Sequence, residues 1–171
     1  SRIGPRQARV AAMLILTLRG TPFLYYGDEI GMEDLRVDPR SAHDPREKRL
    51  PGQGLGRDPA RGPMQWDGSE KAGFTTGAPW LPVAANASRV NVAVEREDPA
   101  SLLTLYRRLI ALRKSEPALV AGAWLPLPVI GDVFVYSRRR GDRRLLVALN
   151  MGPEPSVAPL PDQGEILLNT H

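Results

Sequence analysis

The sequence predicts two incomplete parts of different fold class, an α/β part followed by an antiparallel β part. Three observations carry that expectation. Phe23-Leu24-Tyr25-Tyr26 is apolar and aromatic without alternation, the pattern of a strand covered on both faces, and it follows an apolar helical stretch closed by Gly20. A second amphipathic helical pattern stops at Pro117, and beyond it the period shortens to that of strands. Between the two helical patterns lies a long stretch rich in Pro, Gly, Asp and Arg with no periodicity. One strand and two helices cannot close an α/β core, and a few short strands leave open edges, so each part reads as a portion of something larger.

Composition bounds the reading. A chain of 171 residues with 42% hydrophobic and 25% charged residues is that of a globular domain. It is too short for a closed eight-stranded α/β barrel, which takes about 250 residues. With no cysteine, disulfides and thiolate metal sites are excluded and nothing points to an oxidising compartment. The longest apolar run, Val10 to Leu16, falls far short of the roughly 20 residues that span a bilayer. No signal peptide is visible, although Ser1 is not a methionine, and a cytoplasmic location is expected. The net charge of +4 and pI near 9.8 raise the question of nucleic acid. The cations are scattered, however, and the one run, Arg138-Arg139-Arg140, abuts Gly141-Asp142 where a hairpin turn is expected. Without stacking aromatics beside the basic residues, neither a nucleic-acid nor a membrane partner is expected.

In chain order, Gly4-Pro5 opens a helix that Gly20 stops, with Val10, Met13, Leu14, Ile15, Leu16 and Leu18 nearly encircling its second half. Thr21-Pro22 starts the extended run, and Gly27-Asp28-Glu29 is its polar exit. In an α/β barrel, residues just past the C-terminal end of a strand surround the active site, which puts Asp28 and Glu29 at that rim. From Glu33 to Gly62 a long loop is expected, and loops longer than about 12 to 15 residues are functional or disordered. Pro63-Met64-Gln65-Trp66-Asp67 returns to apolar and aromatic character, so that end is expected to be docked.

Two features of the loop carry chemistry-bearing side chains. His43-Asp44 has the look of a catalytic pair, but a lone histidine in a Pro-rich loop reads as exposed, and no role is assigned to it. Arg57 and Arg61 flank Asp58. Guanidinium groups suit forked hydrogen bonds to a carboxylate or to paired sugar hydroxyls, and the three residues read either as a rigid network or as ordinary loop surface, the latter favoured by composition alone.

Ala72 to Val94 reads as a loop pinned by Phe74, Trp80 and Leu81. Asp98-Pro99 supplies an N-cap and first-turn proline for a helix whose Leu102, Leu105, Tyr106, Leu109, Ile110 and Leu112 share a face, with Arg113 and Lys114 in its last turn. Beyond Pro117, Ala123–Leu127, Val133–Ser137, Leu145–Asn150 and Glu165–Asn169 are short β-prone runs, with a hairpin at Arg139 to Asp142.

Several of these stretches resemble one family in order. ARVAAMLILTLRGTPFLYYGDEIGM, GLGRDPARGPMQWD, AGFTTGAPWLPV, DPASLLTLYRRLIALRKSEPAL, VFVYSRR and LLVALN are similar to the C-terminal portion of the α-amylase superfamily of glycoside hydrolases, in its α-glucosidase and oligo-1,6-glucosidase branch. The resemblance implies helix seven, strand eight, a long loop and helix eight of a (β/α)8 barrel over residues 1–116, then an incomplete antiparallel β-sandwich domain over 117–171. It implies a retaining glycosidase acting on short α-linked gluco-oligosaccharides from the non-reducing end; no cofactor and no metal-binding residue is expected in this chain. The nucleophile and the acid/base lie on barrel strands four and five of the family, so no catalytic residue is expected in this chain.

Residue by residue, Arg57 resembles the arginine that in exo-acting relatives helps hold the non-reducing-end glucose and pairs with an aspartate of an earlier loop, with Arg61 the second candidate. Asp58, Arg61, Met64 and Trp66 shape that loop, and Asp28 and Glu29 fix loops by hydrogen bonds. Gly62 departs from the family, which commonly carries threonine there, a change expected to loosen the loop. Trp66 and Phe74 are read as anchors. The resemblance leaves open trehalose synthase or another transglucosylase, and, in a different class, a non-catalytic amylase-like domain such as the ectodomain of an amino-acid transporter subunit.

Overall fold

A computed structural model describes residues 4–160 and 164–170. The expected outer limits at residues 1 and 171, and the break at 161–162, lie outside the described residues. The chain forms two compact units: Tyr25–Thr104, and a second that joins the residues up to Leu24 with those from Leu105.

In the second unit, α1 (Pro5–Thr17) begins with proline in its first turn, where a missing N–H costs nothing, and Gly4 donates its own N–H to Gln7 Oε1 at 2.8 Å. Ala12, Met13, Leu16 and Thr17 form its buried face, while Ile15 is 37% exposed, so the helix is amphipathic and not apolar all round. α4 (Leu102–Ser115) buries Leu105, Tyr106 and Leu109. Pro117 does more than end it: it opens another helix, α5 (Pro117–Ala121), which buries Ala118 and Leu119.

Gly122 then joins α5 to the sheet. A Cβ there would lie 2.3 Å from the Ala118 carbonyl oxygen and 2.8 Å from that of Arg139, so only glycine lets helix and strand approach so closely. The sheet is antiparallel in the order β1 (Ala123–Pro126), β2 (Val133–Arg140), β3 (Arg143–Asn150). Arg140 faces Arg143 across the expected hairpin, whose turn Gly141-Asp142 puts Gly141 at φ +57°.

Arg138 of β2 is completely buried, and among the described residues no ion pair engages it. Its guanidinium donates to the Thr17 carbonyl (2.7 Å) and to the Gly122 carbonyl (3.0 Å), so the ends of α1 and α5 share one cation. Arg113 of α4 adds donations to the carbonyls of Leu16, Leu18 and Gly20. Those of Leu16 and Leu18 belong to the C-terminal end of α1, where carbonyls lack intrahelical partners and positive charge is favourable, and that of Gly20 lies just beyond it. The Tyr136 hydroxyl meets Thr17 Oγ1 at 2.5 Å, and burial pushes the Tyr136 phenol up from its ordinary value.

The first unit is held by Ile30, Met64, Val92 and Leu103, with Met32 against them. The stretch expected to be a bare loop contains 3-10 turns at Asp28–Ile30, Pro39–Ser41 and Asp58–Arg61, and the short helix α2 (Pro45–Arg49). α3 (Val92–Glu97) was not anticipated; Asn91 caps it by accepting the Val94 N–H at 2.9 Å.

Three expectations are corrected. Residues 21–25 have no regular structure and Tyr26 begins a turn, so the expected strand is not formed, and Phe23 is 88% exposed. A parallel strand takes its hydrogen bonds from flanking strands and its cover from helices on both faces, and the described residues provide neither. Residues 165–169 are not a strand: Ile166, Leu167 and Leu168 follow one another without the alternation that seats one face on a sheet. The second expected helix, α4, starts at Leu102, not Pro99. Ser101 Oγ accepts the Thr104 N–H at 3.0 Å as the cap, while Asp98 closes α3 and takes the Ala100 N–H.

Replacing Arg138 with methionine keeps much of the volume and deletes both carbonyl contacts. Leaving buried acceptors unpartnered costs about 1 to 3 kcal/mol each, so Arg138→Met should lower stability by roughly 2 to 5 kcal/mol in chemical denaturation. An unchanged midpoint would show that water satisfies those carbonyls equally well.

Candidate functional site

The candidate site lies in the first unit, around the turn that carries Arg57. Asp44-Pro45 starts α2 as an N-cap and first-turn proline, and Asp44 Oδ1 accepts the Arg46 N–H at 2.8 Å. Its other oxygen, Oδ2, accepts the Arg57 Nε–H at 2.7 Å and the Arg57 backbone N–H at 3.3 Å. Arg61 Nη1 stands 3.9 Å from the same oxygen. The Asp44 side chain is fully buried, while that of Arg57 is 59% exposed.

Asp58 is buried too, but not as the acid between the two arginines. Its Oδ2 accepts the backbone N–H groups of His43 (2.6 Å) and Asp44 (2.9 Å). The expected Arg57–Asp58–Arg61 network therefore has Asp44 in the place of Asp58. The reason is geometric: Asp58 opens the 58–61 turn and faces the chain segment ahead of α2, whereas Asp44 lies where both guanidinium groups reach. Glu47 completes the frame by accepting the N–H groups of Gly52 (2.7 Å) and Gly56 (3.2 Å). His43 is exposed, its ring edge-on to Trp80 at 5.6 Å between centroids. Asp44 was passed over because it follows that histidine in a Pro-rich stretch; the signal that marks it is the Asp-Pro helix start.

The other expected loop residues are distributed around a groove of about 370 Å³. Tyr26, Glu29, Arg61, Met64 and Trp66 line it, together with Phe74 and Trp80. Trp66 is 51% exposed and Phe74 39%, so neither is an anchor by burial. What docks this segment is main chain and a polar side chain: Trp66 N–H to Ala72 O, Val92 N–H to Gln65 O, and the buried Gln65 amide donating to the Val90 carbonyl. Glu29 accepts the Gly27 N–H at 2.8 Å, and Asp28 the Tyr25 N–H at 3.2 Å. Burial, followed by the neighbouring Tyr25, pushes the Tyr26 phenol up, and its hydroxyl donates to the Gly62 carbonyl at 2.9 Å.

Gly62 sits against a neighbouring side chain. A Cβ there would fall 2.6 Å from Leu35 Cδ1, so the Leu35 side chain fills the space that a larger residue at 62 would take. Among the described residues no group of three or more acidic or histidine side chains is placed to hold a metal. None of their helices is long and apolar enough to cross a membrane.

A helix- and loop-rich part followed by an antiparallel sheet is covered in turn by two family models, one of a catalytic domain and one of a domain appended to it. The family model described as "Alpha amylase, catalytic domain" matches residues 2–122, and that described as "Domain of unknown function (DUF3459)" matches 122–171. The chain belongs to the α-amylase family. It is 37% identical to the oligo-1,6-glucosidase of Parageobacillus thermoglucosidasius over 91% of its own length and 31% of that protein's. With the glucan 1,6-alpha-glucosidase of Streptococcus pneumoniae it shares 37% identity over 87% of this chain and 31% of the other. The backbone matches the trehalulose synthase MutB from Pseudomonas mesoacidophila MX-45 with a TM-score of 0.81, at 36% identity, over 92% of this chain and 32% of that one. The chain thus spans about a third of the length of the relatives it matches.

The Arg57 contact, followed by the Arg46 and Arg57 backbone N–H groups, holds the Asp44 carboxyl at about 2, below its ordinary 3.8. A folded value below the unfolded one contributes stability that is complete above about 3.8 and is lost as pH falls toward about 2. A carboxyl ¹³C NMR titration of Asp44 should therefore have its midpoint near 2, and the midpoint should rise toward the ordinary value in Arg57→Ala, where the Arg46 and residue-57 backbone N–H groups remain. An ordinary midpoint in the unmodified chain would mean that the pair does not form in solution.

Proposed function

We propose that the full-length protein is a retaining glycoside hydrolase that cleaves α-glucosidic bonds of short oligosaccharides from the non-reducing end. This chain contributes the end of its barrel, residues 1–116, and the first part of its C-terminal β domain, residues 117–171. The domain division is supported by the two family models, which meet at residue 122. The activity is supported by membership of the α-amylase family and by relatives named as glucosidases. The observation that carries the substrate reading is the Arg57 guanidinium, seated by its Nε–H on a buried carboxylate while most of its side chain faces solvent.

A second reading, transfer of the glucosyl group to a sugar hydroxyl instead of water, is favoured by the likeness to trehalulose synthase MutB, a structure of which holds its substrate sucrose. Both reactions pass through a glycosyl-enzyme formed by a carboxylate pair about 5 to 5.5 Å apart. By the family resemblance that pair lies outside this chain. Product analysis on sucrose and maltose separates the readings: free glucose marks hydrolysis, and an isomerised disaccharide marks transfer.

Two outcomes follow. The purified 171-residue chain should not hydrolyse p-nitrophenyl α-glucoside; turnover above the blank with contaminating enzyme excluded would overturn the placement of the catalytic carboxylates. In the full-length protein, Arg57→Ala removes a charged hydrogen bond worth roughly 1.5 to 3 kcal/mol, a loss of about 10- to 100-fold in kcat/KM on a disaccharide. The loss should be smaller on a long maltodextrin. Equal losses on both, tracking the amount of folded protein, would leave Arg57 as a structural residue.

A further inference from the structure

We propose that Asp44 is the positioning residue of Arg57: it holds the guanidinium by its Nε edge so that the two terminal nitrogens are presented together to vicinal hydroxyls of a sugar. The inference rests on the reading of Arg57 as a sugar-binding residue, and names what aims it.

Asp44 has no freedom of its own. Its backbone N–H is held by Asp58 Oδ2 at 2.9 Å, as is that of His43, and its Oδ1 is committed to the start of α2 through the Arg46 N–H. The remaining oxygen accepts both the side-chain Nε–H and the backbone N–H of Arg57, so one atom fixes the root and the middle of that side chain. An arginine offers five N–H donors in a rigid plane, and the Nε contact uses one of them. Among the described residues no recorded hydrogen bond or ion pair engages its two terminal nitrogens. They form an outward-facing fork whose rotation is blocked at its base. Such a fork matches two adjacent oxygens, either a carboxylate or a vicinal diol.

The charges nearest the fork favour the diol. Asp44 and Asp58 balance Arg57 and Arg61, with the Arg61 Nη1 3.9 Å from the same Asp44 oxygen, while α2 adds Arg46, Lys48 and Arg49 against Glu47, so an anion is the alternative that the phosphate titration below tests. A neutral polyol needs only directed donors, and the buried carboxylate strengthens their direction without adding net charge.

The test compares Asp44→Asn, Arg57→Ala and the double variant in the full-length protein, with maltose as the substrate. Asp44→Asn keeps size and one acceptor oxygen but loses the charge that holds Nε. It should raise KM about tenfold while kcat stays within about twofold, with no further loss in the Arg57→Ala background. Equal additional loss in that background, or a fall in kcat that tracks the folded fraction, would overturn the positioning role. Failure of the glucosidase reading is distinguishable from failure of this one through NMR on the 171-residue chain itself. The Arg57 Nε–H resonance should exchange with solvent more slowly than those of other exposed arginines, and lose that protection in Asp44→Asn. Absence of protection in the unmodified chain overturns the positioning whatever the substrate. Titration with inorganic phosphate should leave the resonance in place; a shift that Arg57→Ala abolishes would replace the polyol by an anion.

Discussion

Asp44 is withdrawn from water in a segment with almost no regular structure, and a carboxylate in that position has to find its donors among whatever lies within reach. It takes a helix N-terminus with one oxygen and an arginine with the other. The loop from α2 to the 58–61 turn follows from that choice: ends far apart in sequence are brought together because they share one acid. Asp58 and Glu47 repeat the device, each accepting two backbone N–H groups. Where sheet and helix ladders are missing, buried carboxylates supply the acceptors that the backbone needs. The shape of this loop accordingly depends on ionised acids, while the neighbouring aromatic groove rests on main-chain pairing.

The second unit solves the same problem with the sign reversed. Arg138 is a buried cation without an ion-pair partner among the described residues, tolerated because carbonyls at the ends of α1 and α5 need donors. Burial pushes the Arg138 guanidinium down from its ordinary value, with the charge of Arg113 acting in the same direction. A solvated basic turn was the wrong setting for Arg138, because the exposed turn residues begin only at Arg139 while Arg138 still lies within the packed part of the strand. Arg139 and Arg140 are exposed, as a turn requires, and Arg138 ends the buried run of β2.

The legible parts of the fold were those decided within a few residues. Gly141-Asp142 between β-prone runs specified the hairpin and its register, and the spacing of Leu105, Tyr106 and Leu109 specified the buried face of α4. The run Phe23–Tyr26 was legible as apolar, but whether it becomes a buried strand depends on neighbours that composition does not name. The Asp-Pro signature shows the limit most clearly. Applied at Asp98-Pro99 it placed a helix start that Ser101 takes instead; at Asp44-Pro45, where it was not applied, it does begin a helix. A cap works only if the residues after it gain by being helical, and that gain comes from packing.

The same consideration explains how the site could be half visible. Arg57 and Arg61 were identified from residue type and family resemblance, since a guanidinium four residues from another is a property of sequence. Their acid was not, because Asp44 and Asp58 are chemically identical and only the path of the chain decides which one faces the arginines. The path places Asp58 against backbone donors, which satisfy one acid oxygen without orienting any cation. Asp44 meets a cation whose outer edge stays free, so its contact stabilises the loop and also directs a side chain toward solvent. A contact of the first kind can be exchanged for other acceptors with little effect beyond stability. A contact of the second kind fixes where donors point, and that direction is what a ligand reads.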